Sequence, residues 1–483
     1  MTLAASKTKI VCTIGPASAS PEILLQMVQA GMNIARLNFS HGDFAWHKTA
    51  IDNLRRAARK TGKRVTIMAD LPGPKLRIGR MAEEPIELKR GDAFTLTTKE
   101  SIGNRQRAFV SFPRLPAAVK RGDVLFLSDG MIQLQVEKVE GREIRCRLLV
   151  GGELRSYKGL NLPGIDLGLG ALTERGRDYL KFALENGVDA IGQSFVETPK
   201  DVESVRAAAA ELGHNPFIIA KIERAGALTR IDEILAAADG IMIARGDLGV
   251  ETPIERMAVV QKQLIRRANL LGKPVITATQ MLESMVDHPG PTRAEATDVA
   301  NAILDGTDCA MLSEESAMGK FPVEAVNMLV KIAAATEPYR PDAPILEDIA
   351  DLARGGDVRL VDLISRNVQQ AVARLAPTAV IVPTVTGHTA RMVCRFKLPV
   401  WIAAVSPEEA TCQGLQFSYG VSPVHAAEHS RDWNAFARQW TQSAGLPSGL
   451  VLLTEGPSRL NPRANHRMEI IDLRPERGRK GKP

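Results

Sequence analysis

Aromatic residues are scarce in this chain of 483 residues, at only 4%. That is too few for the stacking platforms that bind single-stranded nucleic acid, so the net charge of +7 needs another source. Five basic residues and one acid crowd between Arg474 and Pro483, and this tail carries four of the seven charges. A solvated end is expected there, with no nucleic-acid partner. Cysteine is also sparse: Cys12, Cys146, Cys309, Cys394 and Cys412 form no Cys-x-x-Cys pair. This excludes a disulfide framework and a zinc knuckle, and it points to reduced thiols in a cytoplasmic protein. No apolar run approaches the ~18 residues of a membrane span. The segment from Met1 to Ile14 lacks the apolar stretch of a secretory signal.

What is present is alternation. The length exceeds one ordinary core, so several domains are expected. Strand-like segments at 9–14, 33–38 and 65–70 alternate with helical patterns, the first opened by Ser20-Pro21 as N-cap and first-turn proline. From 73 to 170 the chain reads as short β-runs at 94–98, 109–112, 124–127, 132–139 and 144–150. Asp129-Gly130, Glu140-Gly141 and Gly151-Gly152 punctuate them. This is expected to be an inserted all-β domain, a small barrel. The βα rhythm returns after Thr173 with strands at 188–195, 217–222, 240–244, 275–279 and 309–313. Three strands plus five make the eight that close a barrel.

The predicted fold class is therefore α/β. Residues 1–72 and 171–340 form a (β/α)8 TIM barrel, 73–170 an inserted β-domain, and 341–483 a C-terminal α/β domain. In that last unit, strands at 379–382, 400–405, 421–424 and 450–454, with 468–473 at the edge, predict a doubly wound parallel sheet.

Polar residues gather where the barrel strands end, the face on which such barrels build chemistry. Arg36, Asn38 and Ser40 share one face by period two, and a planar guanidinium there suits a phosphoryl group. Lys221 and Glu223 share a face in the same way, and Asp247 follows Gly246 at the end of the next strand. Two carboxylates from neighbouring strands can hold one Mg²⁺ or Mn²⁺ while leaving positions for water and substrate. Lys221 would then neutralise charge on a transferring phosphoryl group and on a developing enolate oxygen. Without a Cβ, Gly246 can bring its N–H close to an anion. Thr279 can bind a carboxylate, orient a water or simply cap the next helix.

These runs resemble the pyruvate kinase family. The matching stretches are Thr8-Lys-Ile-Val-Cys-Thr-Ile-Gly-Pro-Ala-Ser18, Met32-Asn-Ile-Ala-Arg-Leu-Asn-Phe-Ser-His-Gly42, Lys221-Ile-Glu223, Ile243-Ala-Arg-Gly-Asp-Leu-Gly249 and Ala278-Thr-Gln-Met-Leu-Glu-Ser284. Pro291-Thr-Arg-Ala-Glu295 and Asp298-Val-Ala-Asn301 match as well. The resemblance implies a glycolytic phosphotransferase that converts phosphoenolpyruvate and ADP to pyruvate and ATP. It implies Lys221 as the catalytic lysine, Glu223 and Asp247 as Mg²⁺ ligands, and Arg36 and Arg77 as phosphate contacts. Thr279, Gly246 and Asp247 would hold the substrate carboxylate. Ser313 and Glu315 fall in the family's proton-delivery network. The inserted domain would be a lid, with Asp129 either a lid contact or a plain turn residue. A homotetramer is implied too.

Two departures stand out. Many members of that family carry Thr after the strand-3 aspartate and Glu four residues further on, with Asn, Ser and Asp binding K⁺. Here Asn38, Ser40 and Asp70 are kept, but Leu71 replaces the Thr and Lys75 the Glu. A tethered ammonium with the ion's own charge predicts K⁺-independent activity. Glu314 stands where relatives usually have Gly, and the sequence offers no account of it.

In the C-terminal unit, Thr384, Thr386, Gly387 and Thr389 lie between a strand and a helix. They can be a site for a phosphorylated allosteric effector or a simple helix cap. The rival readings are a metal-dependent aldolase, which needs no β-domain after strand 3, and a silent scaffold or RNA-binding protein using the basic tail.

Overall fold

The segment Lys9–Ile14 is buried at every position, as a strand covered on both faces must be. It is β1 of a closed eight-stranded barrel in a computed structural model that describes residues 3–128, 130–165, 167–341, 345–347, 349, 359–458, 462–463 and 465–475. The others are β2 (Met32–Asn38), β3 (Thr66–Leu71), β13 (Ala190–Gln193), β14 (Phe217–Ile222), β15 (Gly240–Ala244), β16 (Val275–Ala278) and β17 (Cys309–Leu312). They close in the order β1-β17-β16-β15-β14-β13-β3-β2, every pair parallel. Inside, Val11, Ile34, Met68, Ile219, Met242 and Ile276 pack together, so the barrel is a filled core rather than a pore.

Three strands end earlier than their apolar pattern predicts, two of them for one reason. Phe195 (φ 58°), Thr279 (φ 69°) and Gln280 (φ 53°) are left-handed, which breaks the ladder just past Gln193 and Ala278. Such a backbone costs a β-branched residue about 1–3 kcal/mol, and this strain lies at the barrel mouth. The third, β17, stops at Leu312 because Ser313 turns (φ −105°, ψ −101°) into the short helix Glu314–Ala317.

Among the described residues, nine short strands lie between β3 and β13: β4 (Leu76–Arg77), β5 (Ile86–Leu88), β6 (Ala93–Thr97), β7 (Arg107–Phe109), β8 (Val124–Leu127), β9 (Ile132–Glu140), β10 (Glu143–Val150), β11 (Gly152–Leu154) and β12 (Gly159–Asn161). Seven form one sheet, β4-β12-β8-β9-β10-β6-β7. The isolated bridges Ile78–Val110 and Met81–Gly103 join the flanks of its two edge strands. The expected small barrel is thus a sheet curled around its own core (Leu96, Leu125, Leu134, Ile144) and closed only by isolated bridges among the described residues.

The C-terminal sheet has the order β20-β19-β18-β21-β22, with β18 (Ala379–Pro383), β19 (Trp401–Ser406), β20 (Val421–His425), β21 (Leu450–Glu455) and β22 (Arg467–Asp472). The first four are parallel and the edge strand β22 is antiparallel. This unit plugs the barrel floor. Phe417 joins the barrel's inner core and stacks on Phe217, ring centroids 5.3 Å apart. Asp308 accepts from Lys397 Nζ at 2.6 Å and from the Tyr419 N–H at 2.9 Å. No helix among the described residues is long and apolar enough to cross a membrane, and all five cysteines are buried and free.

Candidate active site

Parallel register sets the site. Asp70 lies opposite Asn38 on one side and Gly192 on the other, so its carboxylate enters the mouth between β2 and β13. One oxygen, Oδ2, receives Arg36 Nη2 at 2.6 Å and Nε at 2.7 Å. The other, Oδ1, receives Lys221 Nζ at 3.0 Å and Ser194 Oγ at 3.2 Å. Lys221 Nζ also reaches Glu223 Oε1 at 2.8 Å and Ser194 Oγ at 2.7 Å. Glu223 Oε2 accepts the N–H of the left-handed Phe195 at 2.8 Å. Arg36 Nη1 donates to Thr13 Oγ1 at 2.9 Å. The result is a buried chain of alternating charge: Arg36, Asp70, Lys221, Glu223.

Burial works against the charge on Lys221, but Asp70 and Glu223 outweigh it and hold the ammonium above its usual range. Burial likewise opposes the Asp70 carboxylate, and Lys221 with Arg36 holds it below the usual value. Glu223 goes the other way. Burial, reinforced by the charge of Asp247, raises it despite Lys221. An ion pair alone would lower the acid, so desolvation and carboxylate–carboxylate repulsion dominate at Glu223.

Glu223 follows β14 and Asp247 follows β15, and these strands are neighbours. Two hard oxygen donors from adjacent strand ends, repelling each other, fit a small divalent cation that keeps water or substrate oxygens in its remaining positions. Among the described residues no group of three or more His, Cys, Asp or Glu side chains is placed to hold a metal. The fit is therefore to such a half-open site and not to an all-protein cage. Lys75 Nζ lies 3.0 Å from Asp247 Oδ1, which brings its ammonium to the Asp247 side of the mouth. Asn38 Oδ1 accepts the Ser40 N–H at 3.2 Å, and Ser40 is exposed. Leu71 is fully buried.

Thr279 is locked from three directions. The Gly246 N–H donates to its Oγ1 at 2.8 Å, that hydroxyl donates to the Ala278 carbonyl at 2.6 Å, and Arg245 Nη2 donates to the Thr279 carbonyl at 2.7 Å. Arg245 is itself held by Asp298 at 2.7 Å. A Cβ at Gly246 would meet Thr279 at 3.7 Å, an ordinary contact. On β17's end, Glu315 accepts the N–H groups of Ser313 (2.6 Å) and Leu282 (3.0 Å). Burial raises its carboxyl although those bonds oppose the shift. Ser313 Oγ is buried without a partner among the described residues.

Arg77 lies apart from this cluster. It is exposed on β4 and donates from Nη1 to the Tyr157 carbonyl at 3.0 Å. Glu314 is exposed at the start of its short helix, and nothing in the structure explains its choice over glycine. Asp129 and the tail from 476 onward fall outside the described residues. Sequence reasoning missed Ser194, Thr13 and Arg245 as members of the site. Ser194 and Thr13 had a usable signal, each being a hydroxyl at or near the C-terminal end of a barrel strand.

In the C-terminal domain, Thr384 Oγ1 accepts the N–H of Gly387 (φ 79°) at 2.9 Å. Thr384 and Val385 line a cavity of about 320 Å³ with Glu428, His429, Trp433 and Glu455. Thr386 is exposed and Thr389 half-buried.

Comparison with known proteins agrees with this architecture. The family model described as pyruvate kinase, barrel domain, matches residues 5–326, and that for pyruvate kinase, alpha/beta domain, matches 362–465. A pyruvate kinase of Thermococcus litoralis is 46% identical over 459 residues, covering 94% of this chain and 96% of the relative. A pyruvate kinase of Geobacillus stearothermophilus is 45% identical over 422 residues, covering 86% and 71%. The crystal structure of a pyruvate kinase from Cryptosporidium parvum superimposes with a TM-score of 0.89 at 35% identity, covering 97% of each chain.

Proposed function

Because the chain belongs to the pyruvate kinase family, we propose that it transfers the phosphoryl group of phosphoenolpyruvate to ADP, giving pyruvate and ATP. The observation that carries this reading is the ammonium of Lys221 fixed between the buried carboxylates of Asp70 and Glu223 at the mouth. In the reaction the bond from phosphorus to the enol oxygen breaks and a bond from phosphorus to a terminal ADP oxygen forms. The released electron pair is taken up as a proton adds to the methylene carbon.

Lys221 keeps its proton throughout, since its surroundings favour the charged form. It acts as a preorganised positive charge on the phosphoryl and enol oxygens, where such charge counts most. Arg36 supplies the second one. Glu223 and Asp247 would hold Mg²⁺ or Mn²⁺, which when bound offsets the negative charge of the substrate oxygens. Thr279, Gly246 and Asp247 orient the substrate carboxylate. Protein neighbours would tolerate a Cβ at 246, so the demand for glycine comes from a ligand approaching the backbone at that turn. The buried hydroxyl of Ser313, with Glu315 behind it, is the proton route. The inserted domain acts as a lid that excludes water, with Arg77 as its phosphate contact.

K⁺ is not required in this reading, because Lys75 brings a tethered positive charge to the mouth. Titrating KCl into a tetramethylammonium buffer tests this: activation of about tenfold or more (about 1.4 kcal/mol of barrier) rules it out. The reading also includes a cytoplasmic homotetramer, with a phosphorylated effector acting through the loop of Thr384, Thr386, Gly387 and Thr389. A steady-state assay with phosphoenolpyruvate, ADP and Mg²⁺ tests the activity as a whole. ADP-dependent formation of ATP separates it from aldol chemistry, and its absence ends the proposal.

A further inference from the structure

One cavity lies beside Thr384. Among its described lining residues there is no Lys or Arg, while Glu428 and Glu455 contribute carboxylates. Positive charge gathers on the other side of the same loop. There a cleft of about 840 Å³ opens between the C-terminal domain and the barrel helices Ile231–Ala237 and Met257–Leu270. Arg266, Arg267 and Lys273 line it from the barrel, and Arg391 with Arg359, itself paired with Asp362 at 2.9 Å, from the C-terminal domain.

The two lining carboxylates are already engaged. Asp232 pairs with Arg267, and Asp239 is held by Arg206 at 3.0 Å and by the Ile218 N–H at 2.9 Å. Lys273 Nζ and Arg391 Nη2 donate to carbonyls, of Ala238 at 2.6 Å and Thr386 at 3.0 Å. A carbonyl satisfies a donor but cancels no net charge. Two further signs mark the crowding. Burial, followed by the charges of Arg391, Arg359 and Lys273, lowers His388 and favours its neutral form. Burial also lowers Lys273, with Asp239 opposing and Arg391 adding to the effect.

We propose that this interdomain cleft binds a phosphomonoester, its phosphate between Lys273 and Arg391 and its carbon body against Leu270 and Leu271. The volume is of small-molecule size, which falls at ~300–1,000 Å³, and far exceeds what a bare phosphate would fill. A phosphate there removes like-charge repulsion within a half-buried site and accepts charge-assisted bonds from both domains. Because Thr386 hangs on Arg391, the ligand also reaches the loop assigned to effector control. This inference deepens that regulatory reading and is independent of the catalytic one.

Calorimetric titration of the full chain with glycerol 3-phosphate and with phenyl phosphate tests it. One saturable site per chain is expected, weakened about tenfold or more in Lys273→Gln and in Arg391→Gln and unchanged in Glu428→Gln, which lies outside the cleft. Arg391 is half-buried, so Arg266→Gln, at an exposed position, provides a second measure if that variant does not fold. No saturable binding of either ester up to about 5 mM overturns the proposal, as does binding that Lys273→Gln leaves unchanged. Inorganic phosphate binding as tightly as the esters would refute the ester assignment.

Discussion

Replacing Lys221 by methionine keeps the length of the side chain and removes its charge from the middle of Arg36, Asp70 and Glu223. Three contacts go with it, at 3.0 Å to Asp70, 2.8 Å to Glu223 and 2.7 Å to Ser194. Breaking a buried ion pair costs about 3–5 kcal/mol, but here the loss is cushioned. Asp70 retains Arg36, and Glu223 retains the Phe195 N–H and can take up a proton. We therefore expect a fall in stability near the lower bound, about 3 kcal/mol. The rate should suffer more. Removing a single neutral donor from a preorganised anion site costs about 3–4 kcal/mol, roughly 10²–10³-fold in turnover, and a full charge sets that as the floor. The assay pairs turnover with phosphoenolpyruvate and ADP against Mn²⁺ binding by magnetic resonance and unfolding by circular dichroism. A folded variant that binds Mn²⁺ but turns over within tenfold of the parent would show that the ammonium is only structural.

Gly246→Ala separates ligand approach from folding. A Cβ there has room at 3.7 Å from Thr279 and sits in the helix Arg245–Glu251, where alanine is favoured by roughly 0.5–1 kcal/mol. Tm should hold or rise while turnover drops about a hundredfold; unchanged turnover removes Gly246 from the site. Glu223→Gln tests the raised carboxyl. The metal-free fold binds the extra proton between the ordinary glutamate range and the raised value, so the parent's stability declines as pH climbs through that window. The glutamine variant should therefore gain on the parent in melting temperature from pH about 4.5 upward, and parallel curves would contradict the shift. Asp308→Ala strips the partner of Lys397 and of the Tyr419 N–H at the barrel floor. A loss of about 3–5 kcal/mol in denaturant unfolding is expected, with the rate per folded molecule little changed.

Local pattern carried the architecture a long way. Uninterrupted burial of Lys9–Ile14 is legible as a mostly apolar run broken only by Lys9 at its start and by Thr13, and period two placed Lys221 and Glu223 on one face. Residues whose roles depend on chain neighbours, such as Gly246 before Asp247, were legible for the same reason. Ser194 was not, because its significance is a contact 27 residues away with Lys221 and another 124 residues away with Asp70. Only barrel closure, which sets β13 between β3 and β14, creates them. The same applies to Lys75. The family resemblance implied an ammonium in place of a carboxylate there, while the fold brought it to Asp247, 172 residues on. Strand periodicity is a short-range property of the backbone, and it reads directly from residue order. Charge networks depend on distances in space, and those exist only once eight strands have closed and two domains have docked.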